Sequence, residues 1–170
     1  MFRTKINYNP QETVTFHESE DLEVIEIQNI GNTNADLTGI NLIELGISYQ
    51  FPKNVTIAAR KYLHLVGNAT TFQDKSRIIP FDTFTINLSN KNHNLVSAIA
   101  FENLIDQVEY SDKVPWPETA DGDGFYLELI NVNSDNTSAI NWVASSSEVL
   151  STTDFDNTNF MVFPSLVEDR

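Results

Sequence analysis

The sequence contains no cysteine, so neither a disulfide framework nor a thiolate metal site can form, and this absence leaves the compartment open. Basic residues are scarce: 10 Lys and Arg stand against 24 Asp and Glu, a formal net charge of −14, and no basic cluster with interleaved aromatics occurs. Binding a polyphosphate begins by neutralising it, so neither nucleic acid nor an anionic membrane is expected as a partner. Long apolar runs are missing, and no window approaches the length of a membrane span. Heptad repeats, which a filament rod would need, are missing as well. The opening Met1-Phe2-Arg3-Thr4-Lys5 has no apolar run behind its charges. The chain is therefore expected to be cytosolic or to have lost an export signal.

What is present is a β texture. At 170 residues the chain has room for one domain with a full core and a tail. Phe, Ile, Val, Tyr and Thr are plentiful, helical apolar spacing is scarce, and turn residues recur at short intervals. The pattern predicts an all-β sandwich of about eight or nine short, mainly antiparallel strands. Leu22 to Ile27 fits a strand whose phase slips once, with a bulge expected at Val24/Ile25. Strands are also predicted over Ile40 to Leu45, Ile47 to Phe51, Phe125 to Ile130 and Ala139 to Val143, and Leu95 to Phe101 with Leu104 to Tyr110 reads as a hairpin. In Tyr62 to Val66 the alternation puts Leu63 and Leu65 on one face and His64 on the other, and Thr83 to Leu88 has the cleanest period of two in the chain. From Ala144 the composition turns to Ser and Thr, so the sandwich is placed at 1–145 and a polar linker with a C-terminal tail at 146–170.

Few residue sets suggest chemistry. Asp121-Gly122-Asp123-Gly124 reads as a tight turn, with glycine supplying positive φ and aspartate bonding its own backbone. The alternative is a calcium site at Asp121 and Asp123, joined by Asp112 and Glu118; the loop lacks EF-hand spacing. Trp116, between Pro115 and Pro117, is either an exposed platform for a sugar ring or a core plug held by a stiff loop. Trp116, Asp121 and Asp123 are therefore the candidate binding residues. Either Glu26 or Glu128 could be half of a paired glycosidase site, but both read better as outward positions of half-buried strands. His17, His64 and His93 show no metal-ligand spacing and are expected to be solvated or singly hydrogen-bonded. No glycine-flanked serine supports a Ser89, His93, Asp106 triad. The sequons at Asn54, Asn68, Asn87 and Asn136 read as turn residues.

An ordered set of short motifs carries a family likeness. It runs Asn7-Tyr8-Asn9-Pro10, Val24-Ile25-Glu26-Ile27-Gln28-Asn29, Asp36-Leu37-Thr38-Gly39, Phe51-Pro52, Tyr62-Leu63 and Leu88-Ser89-Asn90. It continues with Asp106-Gln107-Val108-Glu109-Tyr110, Pro115-Trp116-Pro117, Asp121-Gly122-Asp123-Gly124 and Asn141-Trp142. Over roughly residues 3 to 145 this order resembles the bacterial lamin tail domain. The resemblance implies an immunoglobulin-like sandwich, used as an accessory module of exported or surface proteins, with no catalytic residues assigned. Asn92-His93 and Glu102-Asn103 depart from the family pattern at turns. The segment Phe160 to Arg170 is similar to the opening of a type IX secretion sorting domain, although Ser165-Leu166 replaces its usual Asn-Pro.

Together these readings lead to a non-catalytic interaction module of an extracellular or cell-surface bacterial protein, with a protein, glycan or envelope partner. No cofactor is expected apart from the calcium alternative. Free strand edges could pair two copies into a homodimer. The alternatives are a metal-assisted hydrolase built on the Asp121/Asp123 loop and a passive structural spacer.

Overall fold

The structure is a computed structural model and describes residues 2–44, 47–85, 87–99 and 103–146. Twelve strands occur among the described residues, nine of them four residues or longer, so the expected all-β sandwich is what forms. The first sheet contains β1 (Phe2–Asn7), β2 (Val24–Gln28), β7 (Tyr62–Val66), β8 (Asp82–Thr83), β11 (Tyr126–Leu129) and β12 (Trp142–Ser145), in the order β12-β11-β1-β2-β7-β8. The second contains β4 (Asn41–Glu44), β5 (Ile47–Gln50), β9 (Asn92–Ile99) and β10 (Asn103–Ser111), in the order β10-β9-β4-β5. A small pair, β3 (Ala35–Asp36) with β6 (Thr56–Ile57), stands apart. Pairing between named strands is antiparallel except for β7 with β8.

The core lies between the two sheets. Ile6, Ile25, Leu65 and Leu127 from the first sheet meet Leu42, Leu95, Val108 and Tyr110 from the second. The other face of the first sheet is also covered in part. Helix α1 (Ala69–Ser76) packs Phe72 against Val24, Val66 and Tyr126. β2 is therefore buried at all five positions, which is why its apolar residues do not alternate cleanly.

The irregularity expected at Val24/Ile25 belongs to the neighbouring strand. Arg3 pairs with Ile27 and Lys5 with Glu26, so the extra residue is Thr4 of β1, while β2 pairs with β7 without a break. The bulge turns Arg3 into the space between the sheets. Its guanidinium donates to Asp106 at 2.9 Å and to Ser97 Oγ at 2.9 Å, both on the opposite sheet.

The strand predicted over Ala139 to Val143 begins only at Trp142, after a 3₁₀ turn at Ala139–Asn141, and helix α1 was not anticipated. The predicted strand over 83–88 stops at Thr83. Phe84 and Leu88 are buried as their alternation suggests, and Phe84 N–H still bonds Val66 O at the end of β7, but Leu88 N–H turns to the Glu23 carboxylate; Ile86 lies outside the described residues. Helix α1 carried no amphipathic stripe, because Phe72 is its one buried residue; its sequence signal is the cap, Asn68 Oδ1 accepting from the N–H groups of Thr70 and Thr71. Of the predicted hairpin, residues 100–102 lie outside the described residues, as do Leu45 and Gly46 between β4 and β5. The same holds for 147–170, and with it the sorting-domain likeness.

Candidate functional site

The acidic loop is organised as a turn. Asn9 Nδ2 donates to Asp121 Oδ1 at 2.7 Å, and Gly122 N–H donates to Asn9 O at 3.0 Å, tying the loop to the end of β1. Gly122 and Gly124 have φ of 85° and 84°, a conformation that an L side chain resists. Asp123 and Glu118 are exposed, whereas Asp112 lies beyond the end of β10 and accepts from Ser111 Oγ. Among the described residues no group of three or more His, Asp or Glu could hold a metal ion. The four carboxylates proposed for calcium therefore do not converge on one site, and the hydrolase alternative lacks the third ligand it requires at Asp121 and Asp123.

Trp116 is not an exposed platform. Its side chain is buried at 7% exposure and packs on Trp142, ring centroids 5.9 Å apart and tilted by 44°. The plug reading holds: this loop closes the side of the sandwich, and Trp116 N–H returns to Lys113 O at 3.0 Å. Its neighbour Trp142 donates from Nε1 to Asn136 O at 2.9 Å. Asn136 in turn donates from Nδ2 to Asp106 Oδ1 at 2.6 Å. A polar chain thus runs from Ser97 and Arg3 through Asp106 and Asn136 to the two tryptophans. Asp106 is in phase with the inward Val108 and Tyr110, so a buried charge at that position was visible in the alternation; its partners were not, since Arg3 is 103 residues away.

This chain supports one wall of a groove of about 580 Å³, formed by residues 91–92 and 109–116 and by Thr137. The volume lies in the usual range for ligand sites. Asp112 N–H donates to Lys91 O at 2.6 Å, extending the β9–β10 hairpin past its last strand pair, and Lys113 N–H donates to Ser111 Oγ at 3.2 Å. Among the described residues Lys91, Glu109 and Lys113 make no ion pair, so their charged ends are available to a ligand. Of the residues singled out from sequence, Trp116 and Asp112 reach this groove, whereas Asp121, Asp123 and Glu118 do not. Lys91, Glu109, Lys113 and Thr137 were not anticipated. Hairpin register brings Lys91 opposite Asp112, and a charge at a strand end is ordinarily just solvated surface.

Several other ionisable groups are built into the fold. On the outer face of the first sheet Glu128, Lys5, Glu26 and His64 stand in register across four strands. Glu26, Glu128 and His64 do occupy outward strand positions; Glu128 is half-exposed as expected, whereas Glu26 is buried, and His64, also buried, is singly hydrogen-bonded among the described residues. His64 Nε2 lies 3.1 Å from Glu26 Oε2, and Thr4 Oγ1 donates to Glu26 Oε1 at 2.6 Å. Burial opposes ionisation of Glu26, yet the hydrogen bonds from His64 and Thr4 and the charges of His64 and Lys5 hold its carboxyl below the usual range.

Between the sheets Tyr8 stacks on Tyr110 at 4.6 Å, and Tyr110 on His93 at 6.2 Å. Burial, with the charges of Asp121 and Asp112, raises the Tyr8 hydroxyl well above its ordinary pKa. Nearby, burial pushes Glu23 up to about 8, against the Leu88 N–H bond and with the charge of Glu20. Asp106 is committed to Arg3 and Asn136, and Ser89 O accepts from Tyr110, so Ser89, His93 and Asp106 are each built into other contacts.

Comparison with protein-family models, with curated proteins and with solved structures gives no match to this chain.

Proposed function

We propose that the chain is a non-catalytic interaction module of an exported or cell-surface protein, of lamin-tail type with an immunoglobulin-like sandwich, and that it binds its partner in the groove at the end of the β9–β10 hairpin. The observation that carries this reading is the contrast between groove and interior. Inside, Arg3, Glu26 and Asp106 are engaged by neighbouring side chains, whereas Lys91, Glu109 and Lys113 converge on a concave surface without ion pairs among the described residues. Positioned charge around a groove is what recognition uses, and its specificity comes from complementarity. The ordered lamin-tail motifs add to the reading, since Pro115-Trp116-Pro117 and Asp121 to Gly124 serve as a side closure and a turn.

The test is a binding screen of the immobilised domain against envelope polysaccharides and surface proteins, with Lys91→Glu/Lys113→Glu as the control. Capture by the wild type that the control loses is expected. No capture above background, or equal capture by both, would overturn the assignment. Fractionation of cells producing the natural protein, read by antibody, checks the external location.

A further inference from the structure

We infer that the groove takes a neutral glycan chain, an inference that rests on the groove being the binding site. The first argument is charge. Lys91 and Lys113 bring two cations to the lining and Glu109 and Asp112 two anions, on a protein of net charge −14. A polyanion would meet both lysines but also both carboxylates and the field of the whole molecule; a polycation would meet the reverse at the lysines. A polyhydroxylated, uncharged ligand satisfies all four, because each hydroxyl both donates to a carboxylate and accepts from an ammonium group.

The second argument is backbone geometry. An extended peptide binds a strand end chiefly through free main-chain groups. Here β10 is an edge strand, but past its end the N–H groups of Asp112, Lys113 and Trp116 already donate to Lys91 O, Ser111 Oγ and Lys113 O, and Pro115 has none. What residues 112–116 offer is chiefly side-chain polarity. The third argument is the apolar lining: Val114, 74% exposed, and the exposed Pro115 give the C–H face of a sugar ring a surface to lie on, backed by the buried Trp116.

The probes are neutral hexose oligosaccharides of several linkages, measured by titration calorimetry, with an oligogalacturonate of equal length and a library of extended peptides as parallel arms. At least one neutral oligosaccharide is expected to bind with an affinity that does not change between low and high salt. Lys113→Gln and Asp112→Asn each remove a charge-assisted bond and should weaken it by about tenfold, with an unchanged circular dichroism melt showing that the variants fold. Preference for the oligogalacturonate with steep salt dependence, or sugar binding that neither variant moves, overturns the inference. Peptide or protein capture lost in Lys91→Glu/Lys113→Glu, with the sugars silent, removes the glycan and leaves the interaction module standing. Silence in every arm and in the screen above removes both.

Discussion

Glu23 and Glu26 sit three positions apart, each 1% exposed, and are driven to opposite sides of the ordinary carboxyl range. Glu26 points to the outer face of the first sheet, where Thr4 and His64 each meet one of its oxygens and Lys5 stands alongside. Glu23 points into the end of the core, where it receives the single N–H of Leu88 and is flanked by Glu20 and Tyr110. Burial is the same for both, so desolvation alone does not set their charge. The partners decide it, and strand alternation assigns the partners by choosing the face.

The largest effect is expected from removing a partner on the ionised side. His64→Leu leaves a buried carboxylate short of a partner and should destabilise the fold by about 3–5 kcal/mol in urea melts at neutral pH. A loss below about 1 kcal/mol would mean that Thr4 and Lys5 suffice.

Glu23→Gln tests the other side. The native state holds the Glu23 proton up to a pKa of about 8, whereas the unfolded chain releases it near the ordinary 4.5. Between those values the folded state binds more protons, so stability falls as pH rises through the window, by about 1.4 kcal/mol per unit of pKa difference. The total should be a few kcal/mol. Glu23→Gln should lack this slope and be the more stable protein at pH above about 8. A wild type whose melts show the same pH dependence as the variant's refutes the assignment. Glu26 has the reverse signature: its lowered folded pKa gives stability present above the unfolded value and lost as pH falls through the folded one.

Thr4→Val removes the 2.6 Å bond to the carboxylate and keeps the shape, for an expected loss of about 1.5–3 kcal/mol. The smallest effect is predicted for Tyr8→Phe. The Tyr8 hydroxyl is buried and has no hydrogen-bond partner among the described residues. Deleting it should leave stability within about 1 kcal/mol of wild type, on the stabilising side. A clear destabilisation in the same melts would mean that the polarity of the tyrosine pair supports the neutral Glu23.

The same two glutamates mark what the sequence could tell. Strands whose two faces differ in chemistry were legible: Leu63 and Leu65 against His64, and the β9–β10 hairpin, followed the period of two. Where both covered faces carry apolar residues, as in β2, the period weakens, so the slip at Leu22 to Ile27 could not be traced to Thr4 on a neighbouring strand. Alternation at 83–88 reported the burial of Phe84 and Leu88 correctly but overstated the pairing, which ends where Phe84 N–H meets Val66 O, because burial of these side chains needs only an extended chain. Trp116 and Asp112 were found because their local chemistry is unusual, whereas Lys91 and Thr137 reach the groove through tertiary register and a loop anchored by Asn136.

The single extra residue at Thr4 acts as a phase shifter for the start of the chain. From Lys5 onward β1 is in step with its neighbours, and because Thr4 bulges out of the ladder, Arg3 and Lys5, two positions apart, face opposite sides of the sheet while Thr4 and Lys5 both stand beside Glu26. Deleting Thr4 would make the ladder regular and leave Arg3 opposite Ile27, but the buried Glu26 would lose the hydroxyl that donates to it. A shortened, more regular strand would then be the worse one, and the irregular count of residues is itself a structural specification.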